Sequence, residues 1–286
     1  MKRLLACLLS VVLLLPHLAF AEDDAIPASF HFGADVSTVL SEENSGVVYR
    51  NRDGEPTDLF VLLKEAGWDT VRVRVWNDPF DEDGRGYGGG NCGVANAVEI
   101  ARRCKETGLS LIVDFHYSDF WADPAKQMSP KVWVTMDLTQ KCSALYAFTV
   151  DALTQIAATG VDIWMVQVGN EINNGMAGEE DVDTVMDLIA SGSRAVREIA
   201  KDYGKDIKVA VHYTNIEDYE EVDTRAANLQ NAGVDYDLFG LSYYPYWDGT
   251  MENMQAVAEN IENTYGKDVY IAETSYCYTT EDGDGF

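Results

Sequence analysis

Seven short β-rich runs, each separated from the next by an amphipathic helical stretch, restrict this 286-residue chain to a small set of folds. The runs are FHFGADVS (30–37), TVRVRVW (70–76), LSLIVDFHY (109–117), IWMVQVGNE (163–171), IKVAVHYT (207–214), DLFGLSYYPYW (237–247) and DVYIAETSY (268–276). Between them lie TDLFVLLKEAG, VANAVEIARRCKETG, CSALYAFTVDALTQIAATG, VDTVMDLIASGSRAVREIAKDYG and MENMQAVAENIENTYG, several of which stop at a Gly that can cap a helix C-terminus. Strict alternation of this kind means parallel βαβ units with right-handed crossovers. The two longest loops, NDPFDEDGRGYGGGN and SDFWADPAKQMSPKVWVTMDLTQ, both follow strands, so they gather at the C-terminal face of a barrel, where side chains are free to do chemistry. The expected fold is α/β, a (β/α)8 TIM barrel, with residues 22–286 forming one domain. The sequence stops at Phe286, ten residues beyond the seventh run, so the barrel is expected to be truncated after the seventh strand. A doubly wound open sheet is the alternative. Against it, no G-x-G-x-x-G follows the first run, and the GYGGGN loop follows the second.

The first residues carry two cations, Lys2 and Arg3, then an apolar run from Leu4 to Leu15 and a small-x-small end at Ala19-Phe20-Ala21. That is the pattern of a secretory signal peptide, too short and wrongly flanked for a membrane span. Cleavage near Ala21 and a secreted or periplasmic location are expected. A lipoprotein reading of Cys7 is weaker, because most of the apolar run follows that cysteine instead of preceding it. Loss of residues 1–21 takes the formal charge from −27 to −29, since Lys2 and Arg3 leave with it. So acidic a surface repels nucleic acid and anionic lipid, and no later stretch is apolar and long enough to cross a bilayer. Four cysteines remain, Cys92, Cys104, Cys142 and Cys277; an exported chain permits one or two disulfides, in pairings that spacing does not choose.

Residues at the C-terminal ends of the runs are unusually polar: Asp35, Arg74 and Trp76, Asp114 and His116, Asn170 and Glu171, His212, Tyr243 and Tyr244, and Glu273. Two acids directly follow apolar runs, Glu171 on the fourth and Glu273 on the seventh. Alone, Glu171 reads as readily as a helix cap. Paired with Glu273 it matches the two-carboxylate requirement of glycoside hydrolysis, one group protonating the departing oxygen and the other meeting the oxocarbenium-like carbon. Asn170 beside it can hold a sugar hydroxyl, while Arg74 and Tyr243 are placed to favour an ionised carboxylate. His116 and His212 lack the spacing of a metal motif, so hydrogen bonding over a sugar ring suits them better. Trp76, Tyr87, Trp121, Trp133 and Trp247 all follow strands, where flat rings can line a groove for pyranose faces.

VRVRVWNDP, VDFHYSDFWADP, VQVGNEINNG, LSYYPYW and IAETSY, in that order from about Phe30 onward, resemble glycoside hydrolase family 53, the endo-β-1,4-galactanases. The resemblance implies a retaining (β/α)8 enzyme, with Glu171 as acid/base and Glu273 as nucleophile. It further implies Asn170 on the sugar, Arg74, His116, His212 and Tyr243 as site residues, and Trp247 near the cleavage point; Asp114, at the end of the third run, and Trp121, in the loop after it, are expected to bind substrate as well. The implied substrate is β-1,4-galactan, the side chain of type I arabinogalactan in pectin, attacked by a monomer without a catalytic cofactor. The terminal EDGDGF is similar to the start of a calcium loop, which would make Asp282 and Asp284 ligands, although Phe286 stands where a His ligand is expected. Two other readings remain open on the residues: a related retaining glycanase acting on mannan, xylan or β-glucan, and a non-catalytic glycan-binding barrel.

Overall fold

All seven expected strands form and pair in parallel in sequence order. The protein is described by a computed structural model, which covers residues 30–276 and 279. The elements are β1 (Gly33–Asp35), α1 (Val39–Asn44), α2 (Leu59–Glu65), β2 (Thr70–Val75), α3 (Val94–Thr107), β3 (Ser110–Phe115), α4 (Leu138–Ala157), β4 (Ile163–Val168), α5 (Val182–Tyr203), β5 (Lys208–Tyr213), α6 (Tyr219–Asn231), β6 (Leu238–Ser242), α7 (Met251–Asn260) and β7 (Asp268–Glu273). They build one sheet in the order β1-β2-β3-β4-β5-β6-β7. No helix among the described residues is long and apolar enough to cross a membrane.

Local chemistry accounts for the helix limits. Asp137 accepts from the Gln140 backbone while the Gln140 side chain accepts from the Asp137 N–H, a capping box that starts α4 four residues before the apolar period begins. Gly204 ends α5 in a left-handed conformation (φ 61°), which relieves the last carbonyls without a Cβ penalty. β6 is shorter than its sequence run because Asp248 Oδ2 captures the Tyr244 N–H and turns the chain outward after Ser242.

The sheet is strongly curved. Laid flat, β2 and β7 would stand about 24 Å apart at the usual spacing of paired strands. Instead Arg72 of β2 reaches Glu273 of β7 at 3.2 Å, and Tyr270 of β7 donates to Gln167 of β4 at 2.8 Å. Curvature splits the apolar residues in two. Val71, Val73, Val75, Leu111, Val113, Phe115, Val166, Val168, Val209, Val211, Phe239 and Leu241 face outward and are sealed by the helices. Ile112, Met165, Ala210 and Leu238 close the floor of the lumen, with Tyr270 packed against them. Above that floor the lumen turns polar.

Cys92 and Cys104 are buried and Cys142 half-buried, all as free thiols, so no disulfide joins these three. Cys277 lies outside the described residues, as do the signal-peptide stretch and the calcium candidates Asp282 and Asp284.

Candidate active site

The polar layer of the lumen is organised by one buried guanidinium. Arg72, on the inward face of β2, lies 2.9 Å from Asp114 Oδ2, 3.2 Å from Asp35 Oδ2 and 3.2 Å from Glu273 Oε1. It also donates to Gln167 Oε1 and to Asn170 Oδ1 at 2.9 Å. Burial disfavours the charge, but the three carboxylates outweigh it and the cation is held more firmly than an ordinary Arg. Arg72 therefore ties β1, β3, β4 and β7 to one point.

Glu273 ends β7 beneath this cation. Burial alone would raise its affinity for a proton; Arg72, with a hydrogen bond from the Tyr244 hydroxyl to Oε2 (2.9 Å), overcomes that and holds the carboxyl below its usual range. His212 nearby adds little at neutral pH, since burial pushes its own ionisation down to about 4.

Glu171 has the opposite setting. Strand β4 stops at Val168, and Glu171 adopts a left-handed conformation (φ 44°, ψ 53°) that costs a non-glycine residue on the order of 1 kcal/mol. Its N–H donates to His212 Nδ1 (3.4 Å) and its carbonyl accepts from Gln127 Nε2 (3.1 Å), which hold the strained geometry. The side chain makes no bond to the single 3-10 turn that follows (Ile172–Asn174), so the cap reading of this acid fails. Burial first, then the negative Glu273, pushes its pKa up to about 7, against a hydrogen bond from Ser242 that lowers it.

The remaining expected residues fall into place around this pair. Asn170 is buried; its Nδ2 donates to Ala122 O and its Oδ1 accepts from Arg72. Asp114 is fully buried and bound by Arg72, Gln167 and His116. Because the Ala122 N–H donates to His116 Nδ1 (2.9 Å), the proton of His116 sits on Nε2 and points at Asp114. His116 thus anchors the loop after β3 and brings Trp121 to within 5.9 Å of its own ring.

Two expectations are corrected in their details. Arg74 does not pair with Glu273: its guanidinium stacks 3.9 Å over the Trp121 ring, one pleat nearer the mouth, and the pairing belongs to Arg72. Both arginines point inward because they are two residues apart, and only the depth at which Glu273 ends distinguishes them. Likewise the phenol on Glu273 is that of Tyr244; Tyr243 packs into the outer core, donates to Gly249 O, and meets Glu273 only through its backbone N–H. The aromatic groove is also thinner than expected. Trp76 and Trp133 are core residues, whereas Tyr87 and Trp247 are open and Trp121 half-open. Trp247, 64% exposed, continues a row with Tyr244, Tyr246 and Tyr276. Ser242 and Gln167, buried within strands, and the half-buried Tyr270 escaped sequence reasoning, since a polar residue among apolar neighbours gives no sign of which partner it will meet.

No group of three or more His, Cys, Asp or Glu side chains among the described residues is arranged to hold a metal. A groove of about 1020 Å³ lies between α4 and α5, lined by Cys142, Tyr146, Arg194 and Arg197, and shares no residue with the carboxylate pair.

The glycosyl hydrolase family 53 model matches residues 31–286. An endo-beta-1,4-galactanase of Bacillus subtilis (strain 168) is 50% identical over 253 residues, covering 88% of this chain and 58% of that protein. A probable arabinogalactan endo-beta-1,4-galactanase A of Aspergillus fumigatus is 32% identical, covering 94% of this chain and 76% of that protein. The solved family 53 catalytic domain of Ignisphaera aggregans superposes with a TM-score of 0.85 at 35% identity, over 92% of this chain and 72% of that one. The chain thus spans a little over half of its Bacillus relative and about three-quarters of the others. A shared fold, a family model covering nearly every residue described, and a pair of strand-end glutamates converge on one conclusion: the chain belongs to glycosyl hydrolase family 53.

Proposed function

We propose that the chain is a retaining endo-β-1,4-galactanase acting on galactan and type I arabinogalactan, with Glu171 as acid/base and Glu273 as nucleophile. The observation that carries this reading is the opposite surroundings of the two glutamates: Glu171 is buried beside the negative Glu273, which pushes its pKa up to about 7, while Arg72 at 3.2 Å and the Tyr244 hydroxyl at 2.9 Å hold Glu273 below its usual range. Groups whose environments push their pKa values apart divide naturally into acid and base. The family and the galactanase relatives support galactan as substrate.

In the first step Glu171 gives its proton to the glycosidic oxygen while a Glu273 oxygen attacks the anomeric carbon, so the C–O bond to the leaving sugar breaks as the bond to Glu273 forms. In the second, Glu171, now ionised, takes a proton from water; the resulting hydroxide equivalent displaces Glu273 and leaves the anomer of the starting linkage. Asn170 supplies its second amide N–H to a sugar hydroxyl, the first being committed to Ala122 O. Trp121 and Trp247 flank the bond as stacking surfaces. The chemistry needs only protein side chains. Export through the basic-apolar N-terminal segment and a monomeric state complete the proposal.

Turnover of galactan by Glu171→Gln and Glu273→Gln tests the assignment, with near-complete loss expected in both; wild-type-like activity in either would sink it. Early product analysed by NMR should be the β-anomer. Preferential release of reducing ends from mannan, xylan or β-glucan would replace the substrate but keep the mechanism.

A further inference from the structure

Behind Glu171 lies a hydroxyl that the two-step reaction above does not use. Ser242, the last residue of β6, is fully buried; its Oγ is 2.7 Å from Glu171 Oε1 and 2.9 Å from His212 Nε2. The other residues on its face of the strand, Leu238 and Gly240, are apolar, and Leu238 belongs to the lumen floor. A hydroxyl buried there costs free energy unless it is bonded, and both of its partners come from other strands.

The directions of these bonds are linked because Ser242 has one proton. His212 Nδ1 accepts from the Glu171 backbone N–H (3.4 Å). Asn170 Oδ1 also lies 3.0 Å from that nitrogen, but it already accepts from Arg72 at 2.9 Å, so it needs no proton from the ring. Nδ1 is then the acceptor and Nε2 carries the proton. His212 donates to Ser242 Oγ, which leaves the Ser242 proton to point at Glu171 Oε1.

A protonated carboxyl that accepts a bond on Oε1 carries its proton on Oε2. We propose that Ser242, aligned by His212, is a positioning residue for the acid/base: it reserves Oε1 as an acceptor in both halves of the reaction and makes Oε2 the atom that delivers and later recovers the proton. The inference rests on the acid/base reading of Glu171.

Glu171 is faced by Glu273 from β7, Arg72 from β2, Asp123 from the loop after β3, His212 from β5, and Ser242 and Tyr244 from the end of β6. Glu273 and Asp123 favour its protonated form, and Ser242 and Arg72 its ionised form. His212 stays neutral above about pH 4 and acts only through its hydrogen bonds. Deleting the Ser242 hydroxyl therefore removes one of the two supports of the carboxylate, and Glu171 should hold its proton to higher pH.

The test uses the full chain with Ser242→Ala and Ser242→Thr. Side-chain 13C NMR of labelled glutamate, with the Glu171 signal identified by its absence in Glu171→Gln, reads the titration midpoint without turnover. Ser242→Ala should raise that midpoint by about one unit, the effect of one hydrogen bond to a charged group. On galactan it should lower kcat about ten-fold at unchanged KM and move the basic limb of the pH profile upward. Ser242→Thr, which keeps the hydroxyl, should return both readouts toward wild type. An unmoved midpoint in Ser242→Ala overturns the proposal, whatever the Thr variant does. An active Glu171→Gln would instead overturn the acid/base reading, and the two failures are thereby distinct.

Discussion

Replacing Glu171 by Gln keeps the shape of the side chain and removes its ionisation, so it isolates what burying this acid costs the fold. The carboxyl has an ordinary pKa of 4.5, and in the folded protein burial and the negative Glu273 push it up to about 7. With the folded value raised, the sign is fixed: the acid's contribution to stability is fully present below pH 4.5 and is lost as pH rises through about 7. The difference between those values, at 1.36 kcal/mol per unit, amounts to about 3 kcal/mol. Glu171→Gln carries no such loss, so its unfolding free energy should gain on wild type by about 3 kcal/mol between pH 4.5 and about pH 8, or about 6 °C in Tm. Urea unfolding of both proteins across that range, with m-values checked for constancy, measures it. A difference that stays flat with pH, or shrinks as pH rises, would refute the claim that Glu171 is a buried acid kept protonated by its surroundings. The outcome does not depend on any substrate, so it tests the electrostatics separately from the enzymology.

The same geometry makes other claims. Tyr244→Phe removes the phenol on Glu273 and should move the acidic limb of the kcat/KM profile upward by up to about one unit, whereas Tyr243→Phe should leave that limb in place; the reverse pattern would restore Tyr243 as the partner of Glu273. Arg72→Met leaves Asp114, Asp35 and Glu273 without their common cation and should cost about 3–5 kcal/mol, read as a lowered urea midpoint, while Arg74→Met should cost much less. Gly240→Ala would place a Cβ 2.6 Å from the Tyr270 ring and should destabilise the barrel, by about 1–3 kcal/mol; a neutral effect would mean that Tyr270 moves freely. Trp247→Ala should raise KM for polymeric galactan with little change in Tm, since the ring is mostly in water.

The carboxylate pair shows how far a buried network can differentiate like groups. Glu171 and Glu273 have the same chemistry and both end strands. One faces a guanidinium and a phenol, the other a neutral hydroxyl and the first acid's negative charge. Removing water from the lumen strengthens each of these influences. Arg72 carries most of the asymmetry, because it is shared by Glu273 and Asp114 and reaches Glu171 only at longer range.

Much of this was legible in the chain itself. Alternating β and helical periods specified the parallel sheet, since period decides which face of each element is apolar and strand-helix alternation permits little else. Glu171 and Glu273 stood out because an acid directly after an apolar run is costly unless it does something. The choice between Arg72 and Arg74, or between Tyr243 and Tyr244, was not legible. Arg72 and Arg74 lie on one face by the two-residue period of a strand, so pattern gives them equal claim; the curvature that brings β7 across the lumen sets the depth at which Glu273 meets a cation. Tyr243 and Tyr244 both lie just past the end of β6, where Asp248 captures the Tyr244 N–H; there the Tyr244 phenol meets Glu273 while Tyr243 stays in the outer core. Sequence by itself determined the order of strands and which carboxylates end them, because those depend on local period and chain order. Only the tertiary structure decided which groups touch those carboxylates and how tightly each holds a proton, because contacts between β2, β5, β6 and β7 depend on how the sheet curves through space.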